Sequence, residues 1–177
     1  MVIGHVFIAT SLDGFIARPD GSLDWLMAIA AEGEDHGFDA MMASVDGLIM
    51  GRGTFEQVLT FGEWPYAKPV VVLSRSMSES DIPDELSGKV TLSALAPRDL
   101  MASLDSDGWK RAYVDGGKVI QSFLADGLIA DMIVTRAPVL IGEGLPLFGA
   151  IPKDIPLRHI ETRSFASGLI SSRYEVV

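Results

Sequence analysis

Short apolar runs alternate with amphipathic stretches along this chain of 177 residues. Apolar runs rich in valine and isoleucine are typical of buried strands, whereas apolar residues spaced three and four apart are typical of helices. The strands predicted from this pattern are 2–10, 47–50, 69–73, 89–93, 111–114, 130–141, 157–165 and 168–176. The predicted helices are about 24–31, 34–44, 54–61, 97–104 and 117–125. Residues 11–21 are rich in turn residues and are predicted to form a long loop.

The order of these elements predicts the fold class. Strands that are interleaved with helices are typical of a mostly parallel central sheet with helices on both faces. The last two strands alternate apolar and polar residues around Gly168, which predicts an antiparallel hairpin at the edge of the sheet. We therefore expect an α/β fold. No repeat or long linker is visible, which indicates one domain over residues 1–177.

Composition narrows the classes of function. Acidic residues outnumber basic ones by 24 to 14, which gives a net charge of −10, so neither nucleic acid nor an anionic membrane is expected as a partner. The chain has no cysteine, which excludes disulfides and thiol nucleophiles. Its three histidines lack acidic partners at metal-ligand spacing, so no metal is expected. The amino terminus lacks a basic leader, and no apolar run approaches the roughly 20 residues of a spanning helix, which indicates a cytoplasmic protein.

A glycine turn after the apolar strand 47–50 gives the first chemical signal. Gly51, Arg52 and Gly53 follow this strand, and Thr54 is the predicted N-cap of the next helix. The first turn of a helix leaves backbone N–H groups unpaired, glycine allows a ligand to approach the backbone, and Arg52 adds a positive charge. These features suit the phosphate of a nucleotide, although an ordinary capped helix with a surface arginine has the same sequence.

Two further predicted strand ends carry residues suited to phosphate. One strand is followed by Ser74 and Arg75, and another by Asp115, Gly116 and Gly117. The carboxyl ends of parallel strands lie at one edge of a sheet, where open α/β folds bind their ligands. The three strand ends together predict a nucleotide site.

Several segments, taken in order, resemble the dihydrofolate reductase-like superfamily over nearly the whole chain. The segments that carry this resemblance are 11–17 (SLDGFIA), 49–56 (IMGRGTFE), 72–75 (VLSR) and 115–117 (DGG). Three later segments look more like the branch that contains the reductase domain of the riboflavin-biosynthesis deaminase-reductase. These are 127–129 (GLI), 137–144 (APVLIGEG) and 146–148 (PLF). The resemblance implies a dihydrofolate reductase-like three-layer fold, NADPH as cofactor and a homodimer.

The resemblance also implies which residues bind the cofactor. Ser74 and Arg75 lie roughly twenty residues after Gly51, where an NAD-selective fold would place an acid for the ribose hydroxyl. A hydroxyl and a guanidinium suit the 2′-phosphate instead, and two charge-assisted hydrogen bonds would favour NADPH over NADH by roughly 10²- to 10⁴-fold. The other implied cofactor residues are Gly51, Arg52, Gly53 and Thr54 on one side of the phosphates, Gly116, Gly117, Lys118 and Val119 on the other, and Ala9 and Ile16 at the nicotinamide.

By the same resemblance, the catalytic proton donor is expected at Asp35, on the helix before the strand that ends at Gly51. Asp35 equally fits the solvated face of an amphipathic helix, together with Glu32, Glu34 and Asp39. Both interpretations remain open from the sequence.

Asp13 and Trp25 are candidates for contact with a small-molecule substrate. A loop carboxylate can accept hydrogen bonds from the amino groups of a heterocycle, and an indole ring can stack on one. Asp13 also fits a turn residue, and Trp25 a core side chain.

The sequence therefore predicts an NADPH-dependent reductase that transfers hydride to a small heterocyclic or ribosylamino-pyrimidine substrate, as in the reduction of 5-amino-6-(5-phosphoribosylamino)uracil in riboflavin biosynthesis. The alternatives are a pterin or dihydrofolate-type reductase, a non-catalytic NADPH-binding regulator, and a dimeric interaction module without nucleotide. The apolar strand 130–141, which contains Pro138, either contributes to a dimer interface or is buried inside the sheet.

Overall fold

The computed structural model of the protein describes residues 1–30 and 33–177. The strands are β1 (Ile3–Thr10), β2 (Phe15–Ala17), β3 (Gly47–Gly51), β4 (Val70–Leu73), β5 (Val90–Ser93), β6 (Arg111–Asp115), β7 (Ile129–Arg136), β8 (Leu145–Pro146), β9 (Leu157–Ser164) and β10 (Ile170–Val176). The helices are α1 (Asp24–Met27), α2 (Phe38–Ser44), α3 (Arg52–Leu59), α4 (Pro97–Ser106) and α5 (Gly117–Ala125). Short 3₁₀ turns at Glu79–Asp81 and Asp84–Leu86 connect β4 to β5.

The main sheet has eight strands in the order β5-β4-β3-β6-β1-β7-β10-β9. All pairs from β5 to β7 are parallel, whereas β10 runs antiparallel to both of its neighbours. Strands β2 and β8 form a separate antiparallel pair. The predicted α/β fold, with a mostly parallel sheet and a final antiparallel hairpin, is confirmed.

Alternate residues of the central strands face two different layers of the core. In β3, Ile49 packs with α4 and α5 through residues such as Leu104 and Phe123. Its neighbours Leu48 and Met50 belong to a second cluster, which contains residues from α2 and α3. Because successive strand residues point to opposite faces, both faces of the sheet are covered by helices, as predicted.

Helix α2 is shorter than the helix predicted over 34–44. It begins at Phe38, and the preceding Gly37 has a φ of 86°, a left-handed conformation that cannot continue a helix. Asp35 therefore lies in a loop, and its predicted placement on a helix is wrong. Helix α1 ends at Met27, well before the predicted 31. The end of that predicted helix, Ala31, and also Glu32, lie outside the described residues.

Helix α3 begins earlier than predicted, at Arg52, with Gly51 as its N-cap. Gly51 is extended, with φ −85° and ψ 166°, so the chain has already turned into the helix before Thr54. Thr54 lies in the first turn, and its predicted role as N-cap is wrong. The exposed N–H groups of this turn therefore begin closer to β3 than the sequence indicated.

Strand β7 ends at Arg136 rather than continuing to 141. The Val139 amide donates to the Ala137 carbonyl at 2.8 Å, which closes a tight turn around Pro138. β7 lies between β1 and β10, and Met132 within it is buried. The part of this segment that forms β7 therefore lies inside the sheet, and its contribution to a dimer interface stays a prediction.

In the part of the chain that is described, no helix has the length and apolar character needed to cross a membrane.

Candidate active site

Two cavities lie along the edge of the sheet where the parallel strands end. The first, which we call the Asp115 cavity, has a volume of about 320 Å³ and is formed by the ends of β1 and β6, by β2 and by the first turns of α3. The second, the Arg75 cavity, has a volume of about 430 Å³ and lies between the ends of β4 and β5 and the start of α5. Both lie at the edge of the sheet where open α/β folds bind their ligands.

Two glycine turns meet between these cavities. Gly116 has a φ of 92°, and a Cβ atom there would lie 2.5 Å from Oγ1 of Thr54. A Cβ at Gly51 would lie 3.1 Å from Val119 of α5. Gly116 is therefore fixed both by its backbone conformation and by the close approach of α3. In contrast, a Cβ at Gly53 would meet no atom within 4 Å, so the backbone of this residue is open to a ligand.

Gly117 is a glycine for a different reason. A Cβ there would lie 2.6 Å from the Pro146 carbonyl oxygen and 3.3 Å from Cδ1 of Ile16. The pair of strands β2 and β8 thus packs directly against the start of α5. The predicted contact of Gly117 with the pyrophosphate stays a prediction, because protein atoms already fill the space that its missing side chain leaves.

The lining of the Arg75 cavity includes cations and hydroxyl groups. Four predicted cofactor residues lie in it, namely Ser74, Arg75, Lys118 and Val119, and their contact with a cofactor stays a prediction. The Ser74 hydroxyl accepts hydrogen bonds from the backbone amides at 76 and 77, at 3.2 and 3.1 Å, which orients it within a turn. Among the described residues, none of those that line this cavity is acidic. The lining therefore suits a phosphate group.

Arg52 connects the glycine turn of α3 to the segment after β4. Its Nε donates to Glu56 at 2.6 Å, and its Nη1 donates to the Ser76 hydroxyl at 3.2 Å. The guanidinium thus leans towards the turn that holds Ser74. Its charge is already paired with a carboxylate one helical turn away, so Arg52 contributes less free positive charge than the sequence implied.

The Asp115 cavity brings together residues that are distant in the sequence. The residues predicted to line a nicotinamide or its phosphates that are found here are Ala9, Ile16, Gly53, Thr54 and Gly116. Rings from several elements complete the wall, and these are Phe7, Phe38, Phe61, Tyr66 and Tyr113. A mostly apolar cavity with a few polar groups is typical of a small-molecule site.

Asp115 is the one acidic residue in this lining, within the described chain. Burial raises the pKa of its carboxyl group to about 6, and the hydrogen bond that Oδ1 accepts from the Gly116 amide, at 2.8 Å, opposes the shift. Burial also raises the pKa of Tyr66 and Tyr113, and the negative charge of Asp115 raises both further. The Tyr113 hydroxyl donates to the Phe7 carbonyl at 2.7 Å. A carboxyl group whose pKa is raised towards neutrality is a candidate acid.

The sequence model of the RibD C-terminal domain family matches residues 3–171 of this chain. This chain belongs to the RibD C-terminal domain family. The resemblance to that branch of the dihydrofolate reductase-like superfamily is confirmed.

Three proteins illustrate what this RibD C-terminal domain is similar to. A crystal structure of a candidate riboflavin biosynthesis protein from Shewanella sp. PV-4 is 42% identical, with a TM-score of 0.93 and 99% of both chains covered. The uncharacterized protein YwjB of Bacillus subtilis (strain 168) is 33% identical over 166 residues, which are 93% of this chain and 92% of YwjB. A deaminase/5-amino-6-(5-phosphoribosylamino)uracil reductase from Thermotoga maritima shares the fold, with a TM-score of 0.77 at 15% identity, and 57% of its chain is covered.

The residue predicted to be catalytic in this RibD C-terminal domain is not brought into either cavity. Asp35 is exposed, and its carboxylate accepts a hydrogen bond from the Gly37 amide at 2.7 Å, which caps a turn. Phe38, at the start of α2, lines the Asp115 cavity instead, with its ring centroid 6.2 Å from that of Phe7. A catalytic role for Asp35 stays a prediction without support from its position.

The two predicted substrate residues also lie outside both cavities. Trp25 is only 4% exposed and packs with Ala137 and Leu169, as a core side chain would. The Asp13 carboxylate accepts hydrogen bonds from the amides of Ile141 and Gly142, the shortest at 2.8 Å, and so joins two loops. For both residues, the structure supports the structural interpretation that the sequence left open.

Asp115 was missed as a chemical group by sequence reasoning, which used it only as part of a glycine motif. Its raised pKa depends on burial, which exists only once the chain has folded. One sequence signal was present, because an acid directly after the buried strand 111–114 must lie at the ligand-binding edge of the sheet.

Proposed function

We propose that this protein is an NADPH-dependent reductase that transfers hydride to a small heterocyclic or ribosylamino-pyrimidine compound. Membership of the RibD C-terminal domain family supports a reductase-type enzyme. The single observation that carries the proposal is the pairing of an acid-free, cationic cavity with an aromatic cavity that contains one carboxyl group of raised pKa, within the described chain. The cationic cavity would bind the phosphates of a dinucleotide, and the aromatic cavity would bind the compound that accepts the hydride.

The cofactor would lie across the ridge formed by the two glycine turns. Arg75 and Lys118 would hold the 2′-phosphate, with Ser74 as a hydrogen-bonding partner already oriented by its turn. The open backbone at Gly53 would face the pyrophosphate. Ala9 and Ile16, which line the Asp115 cavity, would lie against the nicotinamide ring. The donor set of cations and hydroxyls fits a phosphorylated dinucleotide better than NADH.

The protein's own contribution to the chemistry would be to orient the acceptor and to supply a proton. When bound, the reduced nicotinamide supplies the hydride. Addition of hydride to a C=N or C=O group leaves negative charge on the heteroatom, which then needs a proton. Oδ1 of Asp115 is engaged by the Gly116 amide, so Oδ2 is the oxygen that would carry the proton towards the acceptor. Tyr66 and the aromatic wall would exclude water from that transfer.

The test has two steps. Thermal unfolding is compared without ligand, with NADH and with NADPH, and the largest rise in melting temperature is expected with NADPH. Loss of reduced nicotinamide absorbance is then measured with a ribosylamino-pyrimidine and with 7,8-dihydropterin. Binding of NADPH without oxidation against either compound would favour the non-catalytic regulator, and no stabilisation by NADPH would favour an interaction module without nucleotide.

A further inference from the structure

A third cavity lies on the face of the sheet that α2 covers, and we call it the Arg173 cavity. It has a volume of about 280 Å³ and is lined by α2 and by strands β1, β6, β7, β9 and β10. Phe7 lines both this cavity and the Asp115 cavity, so the two adjoin at its ring. Three arginines, Arg111, Arg163 and Arg173, line the Arg173 cavity in a protein whose net charge is −10.

The charges that line the Arg173 cavity do not cancel. Arg163 is paired with Glu161, and their guanidinium and carboxylate groups are 3.1–3.3 Å apart. Asp131 is the other carboxylate of the described lining, and it faces two guanidinium groups, those of Arg111 and Arg173. One positive charge is therefore left over. Partial burial strengthens its attraction for an anion.

The same lining contains buried nitrogen atoms that have no hydrogen-bond partner in the described chain. These atoms are Nε of Arg173 and both ring nitrogens of His36. Nη2 of Arg173 lies 3.6 Å from Oδ2 of Asp131, beyond hydrogen-bond distance. Burial of an unsatisfied donor is unfavourable, and an oxyanion in the cavity would accept the missing hydrogen bond from Arg173.

Arg111 is held in place by the protein around it. Its Nε donates to the Ser44 carbonyl at 2.8 Å, and its Nη2 lies 3.3 Å from Nδ1 of His5. The same His5 nitrogen lies 2.9 Å from Oδ2 of Asp131. Partial burial raises the pKa of Asp131, but the hydrogen bond with His5 and the charges of Arg173 and Arg111 lower it more, so this carboxylate is ionised. Arg111 is therefore oriented before a ligand binds, which reduces the entropy lost on binding.

Strand pairing places the Arg173 cavity within reach of a ligand in the Asp115 cavity. Phe7 of β1 is paired with Ile133 of β7, which is paired with Arg173 of β10. Paired residues of neighbouring strands have their side chains on the same face, and two strand spacings separate β1 from β10 by about 10 Å. A compound with its ring beside Phe7 and an anionic group at the end of an arm of that length would occupy both cavities.

We infer that the Arg173 cavity is a subsite for the anionic end of the acceptor, and that Arg111 and Arg173 select a phosphate carried on an arm of the ring that accepts the hydride. Guanidinium groups suit this role because they offer paired N–H donors to phosphate oxygens. The inference rests on the proposed function, because it assumes that the reduced ring lies in the Asp115 cavity.

The experiment uses a matched pair of probes, 5-amino-6-(ribosylamino)uracil and its 5′-phosphate. Binding of each to the protein saturated with NADP⁺ is measured by calorimetry, so that no turnover is needed. The 5′-phosphate is expected to bind at least about tenfold more tightly, the size of one charge-assisted hydrogen bond. Equal binding, tighter binding of the unphosphorylated compound, or binding of neither compound would overturn the inference.

Inorganic phosphate distinguishes an arm of the acceptor from a separate anion. It is expected to compete with the 5′-phosphate and to leave binding of the unphosphorylated compound unchanged. Inorganic phosphate that binds together with the 5′-phosphate, without competition, would show that the Arg173 cavity holds a free anion and would overturn the inference.

Arginine variants provide the second arm. Arg173→Gln is expected to weaken binding of the 5′-phosphate at least about tenfold, with no comparable loss for the unphosphorylated compound, whereas Arg173→Lys should keep part of the preference. Arg158→Gln is the matched control, because Arg158 is 68% exposed on β9, is paired with Glu175 and does not line the Arg173 cavity. Equal losses in Arg173→Gln and Arg158→Gln would overturn the inference.

Two further outcomes separate the inference from its alternatives. Selective binding of the 5′-phosphate without oxidation of NADPH would contradict the proposed function alone. A change of oligomeric state in Arg173→Gln, with the preference for the 5′-phosphate intact, would show that the Arg173 cavity belongs to an interface between copies of the chain and would overturn the inference alone.

Discussion

Among single residues, Asp115 is expected to affect folding in a direction that depends on pH. Its pKa in the folded protein is about 6, above the ordinary 3.8, so the folded state binds the proton more tightly than the unfolded state. The associated stability is fully present below pH 3.8 and is lost as the pH rises through 6. Asp115→Asn, which stays neutral, should raise the free energy of unfolding at pH 7.5 by about 1–3 kcal/mol.

Urea unfolding at pH 7.5 and at pH 4 measures this effect. The gain from Asp115→Asn should be much smaller at pH 4, where the original carboxyl group is already protonated in the folded protein. A gain of equal size at both pH values would show that charge burial is not its cause.

The same substitution is expected to damage catalysis. If protonated Asp115 is the acid, kcat of the original protein should fall as the pH rises above about 6. Asp115→Asn should lower kcat about a hundredfold and abolish this pH dependence, as expected for loss of a general acid. The preference for NADPH over NADH should stay unchanged, since Asp115 lies outside the Arg75 cavity that would bind the 2′-phosphate. A variant that keeps full kcat with the same pH profile would remove Asp115 from the mechanism.

Arg75 is the residue that tests cofactor selection. Arg75→Ala should weaken NADPH binding by about 10- to 100-fold, the size of one charge-assisted hydrogen bond, and leave NADH binding nearly unchanged. Fluorescence titration with both cofactors measures the ratio. Arg163→Ala is the matched control, because Arg163 is 67% exposed on β9 and lines neither the Asp115 cavity nor the Arg75 cavity. A similar loss of affinity for both cofactors would show that Arg75 does not bind the 2′-phosphate.

At the scale of elements, α3 packs closely against the turn before α5. Gly116→Ala is therefore expected to lower the free energy of unfolding strongly. Gly108 is a useful comparison, since its φ of 93° matches the 92° of Gly116, but a Cβ at Gly108 would meet no atom within 4 Å. Gly108→Ala should cost about 1 kcal/mol from backbone strain alone. Gly116→Ala should cost about 2 kcal/mol more, because its Cβ would overlap Thr54.

Denaturant unfolding of the two glycine variants separates strain from overlap. Replacing Thr54 with alanine in the Gly116→Ala background should recover most of the difference, while the backbone strain remains. Equal costs for Gly108→Ala and Gly116→Ala would mean that α3 can move away from the turn.

Elements set by local sequence pattern were predictable, whereas those set by a turn were not. The apolar runs of β3, β4 and β6 gave correct strands because a buried parallel strand leaves a continuous signal. The start of α2 was wrong because Gly37 adopts a left-handed conformation within an otherwise amphipathic stretch. The same error placed Asp35 on a helix, whereas α2 begins after it.

At the scale of the whole molecule, the structure brings predicted site residues at strand ends to the two cavities, whereas Asp13, Trp25 and Asp35 lie elsewhere. Ala9, Gly53, Ser74 and Arg75 follow or end parallel strands, and sheet topology alone brings such positions to one edge. Trp25 lies on the short helix α1, and its packing against Leu169 joins distant parts of the chain. No periodic pattern reports a contact of that kind.

Strand β9 motivates a proposal about assembly. It forms one edge of the sheet, and all eight of its residues are exposed. An exposed edge strand offers unpaired backbone groups to a second copy, and Leu157 and Ile160 add apolar surface, so we propose that the homodimer implied by the family resemblance forms through β9. Ile160→Lys should shift the protein from dimer to monomer in sedimentation experiments. Ile151→Lys is the control, because Ile151 is 43% exposed, close to the 41% of Ile160, but lies outside the strand. A monomeric original protein would contradict the proposal.

The Asp115 and Arg75 cavities differ in charge, and this difference affects how the coenzyme approaches the protein. A coenzyme that carries several phosphates approaches a strongly acidic protein whose attraction is concentrated at Arg75 and Lys118, so its phosphate end is drawn in first. Dissolved salt screens this local attraction, with a screening length of about 10 Å at 0.1 M ionic strength. Raising the salt concentration should therefore weaken the binding of the coenzyme phosphates at these two side chains.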